Sequence, residues 1–173
     1  MQRIMVIGVS AGAGKSRFAR RLGETLELPV HHLDAYYWTP GWVERDKKEF
    51  RCMQQELANE PCWIIEGNYN STIDIRLPSC DTLIQLQLPL WRCLWRVLKR
   101  RIQYHKKTRP DMAPECPEKL DYEFLKFIVT TYHDRQKFQH HLIEEFMMKY
   151  PEKQVYILRT PKEIEAFLAR VGK

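Results

Sequence analysis

A three-layer α/β fold on a five-stranded parallel sheet is predicted by two observations. Five short apolar runs alternate with segments whose apolar residues recur at helical spacing. The first run also passes through a glycine-rich turn straight into a helix, reading Ile4-Met5-Val6-Ile7-Gly8-Val9-Ser10-Ala11-Gly12-Ala13-Gly14-Lys15-Ser16. A chain of 173 residues without repeat, low-complexity tract or linker suits one domain over 1–173.

The first strand covers the run up to Gly8, and the first helix opens at Lys15 with Phe18, Leu22 and Leu26 on one face. Small residues between them let consecutive backbone N–H groups close around a polyphosphate, and the helix N-terminus adds positive potential. Lys15 suits the β and γ phosphates, and the Ser16 hydroxyl suits magnesium. This is the pattern of a P-loop with one departure: strict spacing wants glycine where Val9 stands, so the loop reads as one residue long. Its candidate nucleotide-binding residues are Ser10, Ala11, Gly12, Ala13, Gly14, Lys15, Ser16 and Arg17. A dinucleotide fingerprint competes, with Asp34 near the distance of a ribose-binding acid, but Arg17 stands where its third glycine belongs.

The second strand is Val30 to Leu33, with Asp34 at the sheet edge where α/β folds bind ligands. Asp34 is a candidate to hold a substrate hydroxyl, orient a nucleophile or support a metal through water; capping the turn is the plainer role. Tyr36, Tyr37, Trp38 and Trp42 follow, suited either to stacking on a base or to packing a loop onto the core. Asp46 and Glu49 form a capping box for a helix marked by Phe50, Met53 and Leu57. Trp63 to Ile65 is the third strand. It ends in Glu66, a candidate for magnesium or its water shell, for a substrate contact, or for a plain strand-end acid. Tyr69 joins Asp34 and Glu66 as a candidate substrate contact, and Arg76 is either a substrate-phosphate clamp or a surface cation.

Thr82 to Leu88 is the fourth strand, ended by Pro89, and Leu90, Leu94, Val97, Leu98 and Ile102 mark a long helix. Two helices are expected between about 118 and 150, a fifth strand at Gln154 to Leu158, and a last helix from Pro161 to Ala169 behind the Thr160 cap. The net charge of +6 is local: Arg92, Arg96, Lys99, Arg100, Arg101, Lys106, Lys107 and Arg109 cluster between Trp91 and Arg109 without one acid. A local patch implies a local anionic partner, nucleotide phosphates or a nucleic acid backbone. Arg100 and Arg109, leading into a proline-stiffened loop, are candidates to close over a migrating phosphoryl group. Five dispersed cysteines without a Cys-x-x-Cys suit a reducing cytoplasm and argue against a zinc knuckle. No apolar run approaches the roughly 20 residues of a membrane span, and a membrane partner is not expected.

With these stretches in hand, the chain resembles the small bacterial topology modulation proteins of the FlaR type, relatives of adenylate kinase. The resemblance runs through Gly8-Val9-Ser10 with Gly14-Lys15-Ser16, His32-Leu33-Asp34, Pro40-Gly41-Trp42, the segment Trp63 to Tyr69, Trp95 to Arg101, and Lys107-Thr108-Arg109-Pro110-Asp111-Met112. It implies a P-loop NTPase fold with sheet order 2-3-1-4-5, ATP with magnesium, and a kinase-like lid from Gln103 to about Pro117. Glu66-Gly67 would take the place of the Asp-Gly of nucleoside monophosphate kinases, and Arg76 would stand near their substrate-phosphate arginine. No Asp-Gly-Phe-Pro-Arg follows the third strand, and the lid lacks a four-ligand metal set. The leading expectation is an ATP-dependent phosphotransferase with a small-molecule acceptor, possible nucleotides included. Its catalytic residues would be Lys15, Asp34, Arg100 and Arg109, and its metal residues Ser16 and Glu66. The alternatives are an ATP-switched nucleic-acid-binding regulator and an ATP-binding protein without turnover.

Overall fold

The computed structural model describes residues 1–105 and 107–172; Lys106 of the basic segment lies outside the described residues. In chain order the first half comprises β1 (Arg3–Gly8), α1 (Lys15–Leu26), β2 (Val30–His32), α2 (Leu33–Tyr37), β3 (Trp38–Thr39), β4 (Val43–Glu44), α3 (Lys47–Asn59) and β5 (Trp63–Glu66). The second half comprises a 3-10 turn (Asn70–Thr72), α4 (Ile73–Ser79), β6 (Thr82–Leu86), α5 (Leu90–Gln103), α6 (Tyr122–Lys149), β7 (Gln154–Leu158) and α7 (Pro161–Val171).

The main sheet runs β2-β5-β1-β6-β7 with every neighbour parallel, which is the order 2-3-1-4-5 among its five strands. Alternation along β1 builds the three layers. Ile4 and Val6 pack with Phe18, Ala19 and Leu22 of α1 and with Phe167 and Leu168 of α7. Met5 and Ile7 point the other way, towards Phe50 and Leu57 of α3 and Leu142, Ile143 and Phe146 of α6. The whole of β5 and β6 is buried, as strands covered on both faces must be.

Local chemistry sets the helix ends. Asp46 accepts hydrogen bonds from the Lys48 and Glu49 N–H groups at the start of α3, and Thr160 accepts from Glu163 N–H ahead of Pro161 in α7. One expectation is corrected here: α6 is a single helix of 28 residues where two were predicted. No glycine or proline interrupts it, and Asp121 caps it by accepting from Phe124 N–H at 2.8 Å. The fourth strand also stops at Leu86, two residues early.

Two small elements unseen in the sequence position the site. The β3–β4 hairpin turns through Gly41 at φ 80° and Trp42 at φ 65°, and it docks against the segment after α5. Gly41 N–H donates to Glu115 O at 3.2 Å, Trp42 Nε1 donates to Pro117 O at 3.1 Å, and Met112, Ala113 and Cys116 pack on Trp38 and Trp42. The aromatic loop therefore packs onto the lid and forms one cap with it. Among the described residues no helix is long and apolar enough to cross a membrane.

Candidate functional site

The carboxyl edge of the sheet opens into a cleft of about 1450 Å³ between the glycine-rich loop, the acids after β2 and β5, and the cap. Gly8, at the end of β1, is held by the Asn68 amide from both sides: Gly8 N–H donates to Oδ1 at 3.0 Å and Nδ2 donates to Gly8 O at 2.8 Å. Gln139 of α6 donates to the same carbonyl at 3.0 Å. The Lys15 stem crosses over this glycine; a Cβ on Gly8 would lie 2.9 Å from Lys15 Cγ. That close approach explains the displaced glycine of the motif. Val9 is fully buried, lacks a positive φ and donates its N–H to Leu86 O at 3.2 Å, so it needs no glycine's freedom.

The loop is shaped for an anion. Gly12 and Gly14 stand at φ 79° and 92°, and among the described residues the N–H groups of Gly12, Gly14, Lys15 and Ser16 have no acceptor. Backbone donors left open at a helix N-terminus are the chemistry of a phosphate cradle. Ala11, Gly12, Gly14, Lys15, Ser16 and Arg17 line the cleft, whereas Ser10 and Ala13 are buried beneath it. Ala13 spends its N–H on Ser10 O and its carbonyl on Arg96 Nη1 at 3.0 Å. The cradle cannot widen, because a Cβ on Gly12 would sit 2.2 Å from the Cys93 carbonyl oxygen. Gly12→Ala is therefore expected to cost about 2 kcal/mol or more in chemical denaturation and to abolish phosphate-dependent binding in calorimetry.

Opposite the cradle, Asp34 in the first turn of α2 accepts a hydrogen bond from the Tyr69 hydroxyl at 2.7 Å. Burial and then neighbouring Glu66 push the Asp34 carboxyl above the usual range, against the pull of Tyr69, Lys15 and Arg109. Burial and the Asp34 charge raise the Tyr69 phenol in turn. Glu66 takes Lys15 Nζ at 3.9 Å on Oε1 and His32 Nδ1 at 3.0 Å on Oε2. Because the folded state binds the Asp34 proton more tightly than the unfolded chain, ionising Asp34 costs stability. That stability is full below the ordinary aspartate range and is lost as pH rises through the folded value. Asp34→Asn is accordingly expected to raise unfolding stability at neutral pH by about 1 kcal/mol, the gain vanishing in acid. Urea titrations at the two pH values check it.

The lid brings its own charges. Glu118, nearly inaccessible, takes Arg100 Nε at 2.7 Å on one oxygen and Arg109 Nε at 2.7 Å on the other, the second an ion pair without hydrogen-bond alignment. Arg109 Nη1 donates to Asp111 Oδ2 at 2.7 Å. Burial pushes Asp111 up, yet Arg109, Ser16, its own N–H and His32 outweigh that and hold it below the usual range. Burial and the adjacent Arg109 lower Arg100.

Lys15, Ser16, Asp34, Glu66, Tyr69, Arg100 and Arg109 thus line one cleft. Arg76 does not, and this corrects both of its expected roles. It is fully buried and donates to the carbonyls of Gly67, Asn68 and Tyr69 at 2.9, 3.0 and 3.3 Å. The basic segment is likewise not one surface: Arg96 turns to the loop, and Arg100 and Arg109 turn to Glu118. Asn68, Gln139, Asp111 and Glu118 were missed. Asn68 and Asp111 fall inside stretches that carry the resemblance but have no role assigned there.

The donor set fits a nucleotide phosphate and a magnesium ion: open N–H groups and Lys15 for the first, the Ser16 hydroxyl with carboxylates nearby for the second. Among the described residues no cluster of three or more acidic, histidine or cysteine side chains forms a closed metal cage.

No protein-family model and no curated protein matches the chain. Solved structures do, along its whole length. It is similar to shikimate kinase from Bacteroides thetaiotaomicron, with 23% identity over 98% of this chain and 96% of that one, at a TM-score of 0.58. It is similar also to shikimate kinase from Acinetobacter baumannii in complex with shikimate, with 14% identity over 99% and 91% at 0.59. A third is a gluconokinase from Sinorhizobium meliloti, with 15% identity over 99% and 93% at 0.54. At these identities the likeness speaks for the fold alone, which is the three-layer α/β fold of small P-loop kinases with its lid.

Proposed function

We propose that the chain is an ATP-dependent phosphotransferase acting on a hydroxyl of a small-molecule acceptor, nucleotides among the classes to be tested, with magnesium. The observation that carries the reading is the meeting, in one cleft, of an open N–H cradle crossed by Lys15 and a desolvated Asp34 held by Tyr69. The cradle would bind the donor's phosphates, and Lys15 would stabilise charge on the migrating group. Asp34 would accept the acceptor's hydrogen bond and take its proton, a role its raised pKa suits. Tyr69 would fix the carboxylate, and Arg109 with Arg100 would close the charge from above.

Bound magnesium would supply Lewis-acid polarisation of phosphoryl oxygens. Ser16 would hold it, with Glu66 acting through the water shell. Kinship with the topology modulation group is proposed on the sequence motifs, and a reducing compartment such as the cytoplasm on the dispersed cysteines. A screen of ATP consumption across nucleotides, nucleosides, sugars and other alcohols, with Lys15→Ala as the blank, tests the reading. A wild-type chain that does not bind ATP sinks it.

A further inference from the structure

The surface that α2 and the β3–β4 hairpin place beside Asp34 is built of rings. Asp34 and Trp38 stand one helical turn apart, with Trp38 N–H donating to Asp34 O, and both side chains line the cleft. Tyr37 meets Trp38 at 5.1 Å between ring centroids and Tyr69 at 4.9 Å, and the Tyr69 hydroxyl holds Asp34 at 2.7 Å, so wall and acid are fixed as one unit. Trp42 stands at 70° to Trp38 with centroids 5.2 Å apart, and the two indoles form a corner. Trp42 is the anchor of that corner: its Nε1 donates to Pro117 O, and Lys119 Nζ covers its ring at 5.3 Å. Trp38 packs on the lid residues Met112, Ala113 and Cys116 yet stays half-buried and open to the cleft. Guanidinium groups do not shape this wall, because Arg76 donates to backbone carbonyls and Arg100 and Arg109 are drawn to Glu118.

We propose that the acceptor is an alcohol carried on a ring with a flat apolar face, a nucleoside or a pyranose, which lies on Trp38 with its hydroxyl at Asp34. This rests on the phosphotransfer reading above and names the substrate class of the same site. One helical turn separates the two groups, so the ring bears its hydroxyl directly or through one carbon, whereas a flexible chain would leave the indole face wet. An indole already held by the lid and by Tyr37 loses little side-chain freedom when a ring stacks on it, and the stacked ring excludes water from Asp34. Stacking of this kind tolerates different hydrogen-bonding edges, because every such ring offers a face. Transfer then forms the bond between acceptor oxygen and phosphorus, breaks the bond from the γ-phosphorus to its bridging oxygen, leaves ADP, and places the hydroxyl proton on Asp34.

The test uses the full chain. Neutral nucleosides, methyl pyranosides and acyclic polyols are added without ATP and followed by calorimetry and tryptophan emission, then assayed as acceptors with ATP and magnesium. Members of one or both ring classes are expected to bind and quench the emission, with acyclic polyols about tenfold or more weaker. Trp38→Leu keeps an apolar side chain against the lid but no aromatic face; it should raise Kd and KM for the ring acceptor about tenfold while kcat and the KM for ATP change little. Trp38→Phe should restore most of that affinity and lose most of the quench. If Trp38→Leu fails to fold, Trp38→Met carries the comparison, and the wild-type preference for rings over acyclic polyols decides without any variant. The proposal is overturned by a wild-type chain that binds no ring alcohol or binds acyclic ones equally well, and by an unchanged Kd in Trp38→Leu. A chain that binds rings but transfers nothing sinks the phosphotransfer reading and leaves the ring site standing; one that phosphorylates only acyclic alcohols does the reverse.

Discussion

Lys15→Ala is expected to lower phosphotransfer roughly 100- to 1000-fold while leaving the fold intact. The lysine stem lies across Gly8, and its ammonium stands 3.9 Å from Glu66 and close enough to Asp34 to draw its pKa down. One cation thus serves both halves of the cleft: it offsets two carboxylates at rest and is positioned for the charge that develops during transfer. Two consequences separate this role from simple phosphate binding. Turnover should fall far more than ATP affinity, because the open N–H cradle survives the substitution. The acidic limb of the remaining activity should also move to higher pH, since Asp34 then feels Glu66 without the offsetting ammonium. Steady-state kinetics across pH and calorimetric binding measure the two. A variant that keeps wild-type turnover would remove Lys15 from the chemistry altogether.

The geometry of the glycine-rich loop was legible in the sequence because it is local. Gly12, Gly14, Lys15 and Ser16 lie within five consecutive residues, and a strand, a turn and a helix bring them together without tertiary help. Asp34 and Glu66 were legible for a related reason: each ends a recognisable apolar run, and all such ends of a parallel sheet share one edge. The lid partners were not. Glu118 and Asp111 meet their arginine partners only once a loop with little periodicity folds back beside the cleft, and the pattern that makes Trp42 its anchor is a packing fact, not a spacing. The one-residue displacement of the motif glycine is visible in the sequence, but its reason, the Lys15 stem lying on Gly8, is a tertiary contact. Arg76 misled because an arginine after the third strand of the sheet looks the same in sequence whether it faces the cleft or the backbone.

That arginine gives the second large effect. Arg76→Ala is expected to lower unfolding stability by about 3–5 kcal/mol, read from urea denaturation. Burial pushes its guanidinium down to about 10, so at neutral pH it remains charged; among the described residues no carboxylate is bonded to it, its two terminal nitrogens donate to three successive carbonyls, and its Nε has no acceptor. Removing it leaves the Gly67 and Asn68 carbonyls without their donor, while the Tyr69 carbonyl keeps the Thr72 N–H and hydroxyl, and it opens a cavity, two costs that add. Arg76→Met separates them: it refills most of the volume but supplies no donor, so it should recover only the packing share. The loss should reach the cleft as well. Tyr69 sits at a strained φ of 28°, and its carbonyl is one of the three that Arg76 holds, so loosening it frees the phenol that fixes Asp34. Both variants, assayed where they remain folded, should therefore lose kcat with little change in the KM for the acceptor. A phosphate clamp would show the reverse, a raised KM at unchanged stability, and that outcome would return Arg76 to the substrate.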